Sequence, residues 1–183
     1  PVDTDFYELS PFKGEYFFTA SRMVSYKRMS IIIEAFNNRP DLELVIAGSG
    51  PEEKKLKKIA GQNVQFKGFV DSSHLKDLMQ HARAFVYAAE EDFGIVPVEA
   101  MSCGVPVIAF AKGGLLETVK QKVSGLFFEE QSSKAVGRAL EQFEKETFDP
   151  DQIREHALQF GTNSFKEKFE KFVMDKRQSF KSQ

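Results

Sequence analysis

Six short apolar runs, at 15–20, 42–47, 64–67, 84–88, 105–110 and 125–128, are separated by stretches with helical spacing or turn residues. The run 42–47 is short, apolar and barely alternating, which suits a parallel strand covered on both faces. Between the runs, Ser30 can cap a helix whose apolar side is Ile32, Ile33, Ala35 and Phe36, and Pro51 opens a charged helix running to about Ala60. Asp71 to Ser73 offer caps for a helix with Leu75, Leu78, Met79 and Ala82 on one side. A short helix is expected around Glu117, another from Ser133 to Glu144, and two more after Pro150. Strand and helix alternating in this way predict an α/β fold: a doubly wound, largely parallel sheet with helices on both faces and a ligand crevice beyond the carboxyl ends of the strands.

The fourth and fifth runs frame the stretch with the most chemical character. After Ala89 come three acids, Glu90, Glu91 and Asp92, then a Phe93-Gly94 turn and a helix entered through Pro97. Proline suits a first helical turn because it adds no unpaired N–H, and Gly104 suits the end of the same helix. A helix opening just past a strand end presents free backbone N–H groups and a positive dipole end, which favour an anion such as a diphosphate. The neighbouring carboxylates favour hydroxyls. An anion cradle beside hydroxyl acceptors is the chemistry of a sugar nucleotide.

Glu91 and Glu99 are separated by seven residues, with Phe93-Gly94 between them and Ala100-Met101 directly after. Gly104-x-Pro106-Val107-Ile108 and Gly113-Gly114-x-x-Glu117 follow in order. Taken together, these motifs resemble the donor-binding motif of retaining glycosyltransferases with the GT-B fold (group 1, family-four type), a group that includes bacterial and archaeal mannosyltransferases. The resemblance covers essentially the whole chain. It implies one Rossmann-like donor-binding domain over 1–183, with a linker-like start at 1–14, C-terminal helices at 150–180, and an acceptor domain outside this chain. The activity it implies is transfer of a hexose, mannose from GDP-mannose, to a saccharide or lipid-linked acceptor, with this half inactive alone. A nucleotide-sugar-binding module without turnover and a GT-B sugar-nucleotide epimerase are the alternatives. The donor is a substrate, and neither a cofactor nor a metal is implied.

The resemblance also assigns roles residue by residue. By composition alone Arg22 and Lys27, beyond the first strand, form a solvated basic loop; they match the family's Arg and Lys, which hold the donor diphosphate and stabilise it as it leaves. Arg28 stands where the family often has glycine and counts as a neighbour, and Ala88 stands where relatives often have proline. Glu99 would accept hydrogen bonds from ribose hydroxyls and Glu91 from the transferred sugar, with Glu91, Arg22 and Lys27 forming the catalytic set. Among the three adjacent acids only Glu91 has the required spacing to Glu99 and Phe93. Backbone amides around Phe93, Gly94, Ile95 and Val96 would reach sugar or phosphate oxygens, and the turn Gly68-Phe69-Val70 would serve the base. Gly48 and Gly50 are read as turn residues.

Composition narrows the remaining options. Lys and Arg total 25 against 27 Asp and Glu, so there is no basic field for nucleic acid. Cys103 is the single cysteine, which rules out an intrachain disulfide and reads as an apolar filler compatible with a reducing cytoplasm. His74, His81 and His156 lack metal-ligand or triad spacing. With no apolar run of about 18 residues and no signal peptide at its start, the chain is expected to be cytoplasmic, with peripheral association of the full enzyme at the inner face of the membrane. Phe165, Phe169, Phe172 and Val173 recur at helical spacing and are expected to pack on the domain's own core, although the final helix of GT-B enzymes often returns to the other domain.

Overall fold

The computed structural model describes residues 1–181. Six strands, β1 Phe17–Ala20, β2 Leu44–Ala47, β3 Val64–Gly68, β4 Ala84–Tyr87, β5 Val107–Phe110 and β6 Gly125–Phe128, form one sheet in the order β3-β2-β1-β4-β5-β6, and every pairing is parallel. Eight helices connect and follow them: α1 Met29–Asn37, α2 Glu53–Ile59, α3 Ser72–Gln80, α4 Ile95–Ser102, α5 Leu115–Thr118, α6 Ser133–Phe143, α7 Pro150–Leu158 and α8 Thr162–Lys181. The expected α/β doubly wound architecture is what forms.

Side-chain alternation along the strands divides the core in two. Phe17, Leu44, Ile46, Ala84, Val86 and Ile108 face one way and pack with α1, α2 and α6. Phe18, Val45, Phe85, Tyr87, Val107 and Ala109 face the other way, against α3, α4, α5 and α7. Every residue of β1, β2, β4 and β5 is buried, so both strand faces are apolar and the sequence there cannot alternate. The edge strand β3 is different: Gln65 and Lys67 stand more exposed than their neighbours, and its sequence alternates accordingly.

Four expectations need correction. Ser30 does not cap α1; it is the second helical residue, because the chain enters the helix through Arg28 in the left-handed conformation at φ 54°. Pro51 precedes α2 by two residues, with Glu52 at the N-cap. The first residues, linker-like in composition, are packed: the Val2 N–H donates to Phe160 and the Thr162 N–H donates back to Val2. Arg154 of α7 fastens the same segment by donating to the carbonyls of Thr4, Tyr7 and Ser102. Finally, Phe165, Phe169, Phe172 and Val173 do not pack on the domain's core; they are exposed along α8, where Phe165 and Phe169 stack on each other at 5.7 Å.

Other local expectations hold for clear reasons. The Asp71 carboxylate accepts the His74 N–H at 2.8 Å and so caps α3. Gly104, at φ 68°, ends α4 with the paired bonds Gly104 N–H to Met101 and Val105 N–H to Ala100, the arrangement of a Schellman stop.

Candidate functional site

Strand order reverses between β1 and β4, since the chain winds outward to β2 and β3 on one side and to β5 and β6 on the other. The connections leaving β1 and β4 therefore part in opposite directions and open a crevice at their carboxyl ends. Both sets of expected site residues lie in these two connections.

The loop after β1 is anchored by Met23, fully buried, whose N–H donates to Ser49 at 2.9 Å. Beyond it a single 3-10 turn, Ser25–Lys27, aims Lys27 inward, and the left-handed Arg28 then starts α1. A residue of ordinary type is strained in that conformation, which is why a glycine is at home there. The Lys27 ammonium lies 5.0 Å from the Tyr26 ring centre and 5.6 Å from that of Tyr87. It donates to the Tyr87 hydroxyl at 3.0 Å and forms an ion pair with Glu91 Oε1. Burial works to lower its pKa, but the bonds to Glu91 and Tyr87 prevail and hold it above the ordinary lysine value. Arg22, by contrast, is exposed at the rim of the crevice and has no ion-pair partner among the described residues.

The loop after β4 separates its three acids by environment. Glu90 meets Lys112 at the surface at 3.1 Å, Asp92 is exposed, and only Glu91 turns inward to Lys27 and to the Tyr87 hydroxyl, 3.1 Å from Oε1. Gly94 then takes φ 83° as the N-cap of α4, and a Cβ there would lie 2.6 Å from Leu115 Cδ2. The side-chain-free position lets the first turn of α4 sit against α5, and the leading N–H groups of α4 have no intrahelical acceptor. Pro97, the third helical residue, is buried and adds no N–H of its own.

Glu99, one turn after Val96, is half-buried. Burial raises its carboxyl above the ordinary value, and a hydrogen bond from the Tyr7 side chain opposes that rise. A cavity of about 570 Å³ adjoins α4, bounded by the ends of β1 and β2 with Arg22, by Phe69, Val70 and Leu75, and by Val96. Val70 and Val96 thus line one space with Arg22, whereas Lys27 and Glu91 meet at the neighbouring strand ends. Cys103, fully buried, has its thiol pushed up to about 12 by desolvation and is unreactive. His156 is tied to the Thr118 carbonyl at 2.9 Å and His81 to that of Asp77, away from the crevice.

Two tyrosines that sequence reasoning did not single out belong to this arrangement: Tyr87 touches Lys27 and Glu91, and Tyr7 touches Glu99. A tyrosine closing an otherwise apolar strand was the available signal for Tyr87. None existed for Tyr7, which lies outside any periodic element.

The family described as "Glycosyl transferases group 1" matches residues 4–166. This chain belongs to that family. Among relatives of this group 1 glycosyltransferase is the GDP-mannose-dependent monoacylated alpha-(1-6)-phosphatidylinositol monomannoside mannosyltransferase of Corynebacterium glutamicum, 38% identical over 114 residues, 54% of this chain and 30% of that one. The chain therefore spans about a third of that relative's length. Among solved structures, HepE of Anabaena, in complex with UDP and glucose, superposes with a TM-score of 0.80 at 23% identity, over 94% of this chain and 54% of that one. The C-terminal domain of the group 1 glycosyl transferase LpcC of Francisella tularensis superposes at 0.68 with 22% identity, over 86% and 93%. At such identities the structural likeness carries the fold, and it agrees with the Rossmann-like half expected of a GT-B group 1 glycosyltransferase.

Proposed function

We propose that this chain binds the sugar-nucleotide donor of a retaining hexosyl transfer. The observation that carries the reading is the meeting of Lys27 and Glu91 across the switch point, beside the N-terminus of α4 and below the unpartnered Arg22. In this reading the diphosphate lies against Arg22, Lys27 and the amides of Gly94, Ile95 and Val96. The cavity along Val70 and Val96 takes the nucleoside, with its ribose hydroxyls on Glu99, and the transferred sugar lies over Phe93 with its hydroxyls on Glu91.

Chemically, the leaving group is a diphosphate ester whose charge grows as the glycosidic bond breaks. Two cations and fixed backbone dipoles already aimed at that charge stabilise the transition state more than the ground state. Glu91 accepts hydroxyl hydrogen bonds on a ring that becomes positive, and those bonds strengthen as it does. No covalent nucleophile is assigned. The leaving charge is met by side chains and amides, so donor binding is expected without a divalent metal or other cofactor; among the described residues no group of three or more His, Cys, Asp or Glu could hold a metal ion.

Mannose from GDP-mannose is the proposed donor, on the support of the mannosyltransferases among the relatives; the UDP found with HepE makes uridine the competitor. The saccharide or lipid-linked acceptor belongs to parts of the enzyme beyond this chain, which by itself is expected to bind without turnover. Membrane association belongs with that acceptor and is likewise proposed of the full enzyme, since no helix among the described residues is long and apolar enough to cross a membrane.

A calorimetric panel of GDP, GDP-mannose, UDP, UDP-glucose and UDP-N-acetylglucosamine tests the reading. GDP-mannose should bind more tightly than GDP, and the uridine ligands weakly. Selective binding of a uridine ligand would replace the proposed donor, and binding of none would overturn the site.

A further inference from the structure

Tyr87 is the last residue of β4 and only 4% exposed. Its ring is held by the core: it stacks on Phe85 at 5.9 Å, and Phe85 meets Phe18 edge-on at 5.8 Å. Packing alone does not need the hydroxyl, since Phe85, two residues earlier on the same face, has none. A buried hydroxyl must be hydrogen-bonded or lose free energy. Here its two partners are the charged groups of the crevice: Lys27 Nζ donates to it at 3.0 Å, and it donates to Glu91 Oε1 at 3.1 Å.

Both grips on the Glu91 carboxylate fall on the same oxygen. Lys27 and Tyr87 meet Oε1, and no hydrogen bond or ion pair reaches Oε2 among the described residues. We infer that Tyr87 is a positioning residue for the donor: with Lys27 it holds Glu91 by Oε1 and so presents Oε2 to the hydroxyls of the transferred sugar. The inference rests on the donor site proposed above. Fixing one oxygen to a residue that is itself fixed to the sheet removes carboxylate rotation that binding would otherwise have to freeze. Burial pushes the Tyr87 phenol up to about 12, so the group remains a donor at neutral pH. When a diphosphate draws on the Lys27 ammonium, the Tyr87 hydroxyl still holds Oε1.

Tyr87→Phe removes one oxygen and keeps the ring. Wild-type and variant chains would be titrated with GDP and GDP-mannose, and with UDP and UDP-glucose, while the Lys27 side-chain amine is followed by 15N NMR across its titration. GDP affinity should stay within about twofold, while the ratio of sugar-nucleotide to nucleoside-diphosphate affinity falls about three- to tenfold, the range of one hydrogen bond. The Lys27 midpoint should move down, because one of the bonds that raises it is gone. An unchanged ratio in a variant that binds both ligands overturns the role of Tyr87 alone. Equal losses for both ligands together with a lowered melting temperature would make the residue merely structural and also overturn it. If the wild-type chain binds none of the four ligands, the donor site itself fails, and Tyr87 with it.

Discussion

The Gly114 N–H donates to the Glu91 carbonyl at 2.7 Å, which ties the loop after β5 to the loop that carries the inward-facing acid. Gly113 bridges Glu91 as well, and these contacts are closer than side chains would allow. A Cβ on Gly113 would lie 2.3 Å from the Glu91 carbonyl oxygen, and one on Gly114 would lie 2.2 Å from that of Asp92. Two motifs that stand apart in the sequence are thus one piece of backbone.

Gly114→Ala should therefore displace the Glu91–Phe93 loop. A cost of about 1–3 kcal/mol is expected for forcing atoms into a filled space, read by urea denaturation, together with weaker sugar-nucleotide binding. Wild-type stability and affinity in this variant would show that the loops separate without consequence.

Arg22→Ala and Lys27→Ala should each weaken nucleoside diphosphate binding, by about 1.5–3 kcal/mol if each loses a charged hydrogen bond. Their effects on the protein alone should differ. Arg22 is exposed and unpartnered, so its removal should leave stability unchanged, whereas removing Lys27 strips Glu91 of its ion pair and should lower it. Denaturation and calorimetry on both variants measure the two effects separately. Unaltered affinity in both would return the pair to solvated loop charges.

Glu99 predicts opposite pH trends for stability and binding. Burial raises its folded-state carboxyl above the ordinary 4.5, so between that value and the higher folded value the native state holds more protons than the unfolded chain. Its contribution to stability is complete below 4.5 and is lost as pH rises through the folded value. Ribose hydroxyls need the ionised acceptor, so nucleotide affinity should rise over the same interval. Glu99→Gln should flatten both trends and weaken GDP and GDP-mannose alike. Glu91→Gln should spare GDP and reduce only the extra affinity contributed by the sugar. Denaturation and calorimetry from about pH 4.5 to 7 would decide it, and parallel losses in the two variants would refute the division of labour.

Donor binding in excess chelator should equal binding in magnesium or manganese. Affinity that vanishes with chelator and returns with either ion would mean that Arg22, Lys27 and the α4 amides are insufficient.

The sheet was readable in the sequence because buried parallel strands leave apolar runs that little else explains. Strand starts were read about two residues early at β1, β2 and β5, since apolar or aromatic residues such as Tyr16, Leu42 and Val105 precede the first paired position. The inward acid was legible from its spacing to Glu99. Its hold by Tyr87 was not, because a tyrosine at a strand end looks like core until the partner loop is placed. Ser30 misled because capping chemistry is local, while the actual route into α1 is set by the backbone of Arg28. The α8 stripe shows the limit of periodicity: spacing marks an apolar face but does not say what lies against it.

Arg154 gives the site a constraint in time. Its guanidinium joins carbonyls at residues 4 and 7 to the end of the helix bearing Glu99, so three distant parts of the chain meet on one side chain. A ribosome delivers β1 through α4 well before residue 154 emerges. The ribose-side carboxylate can then be fastened only when α7 arrives and the first residues fold back beneath it. Contacts of such sequence separation are slow to close, and ligand-binding competence should accordingly appear after the sheet itself has formed.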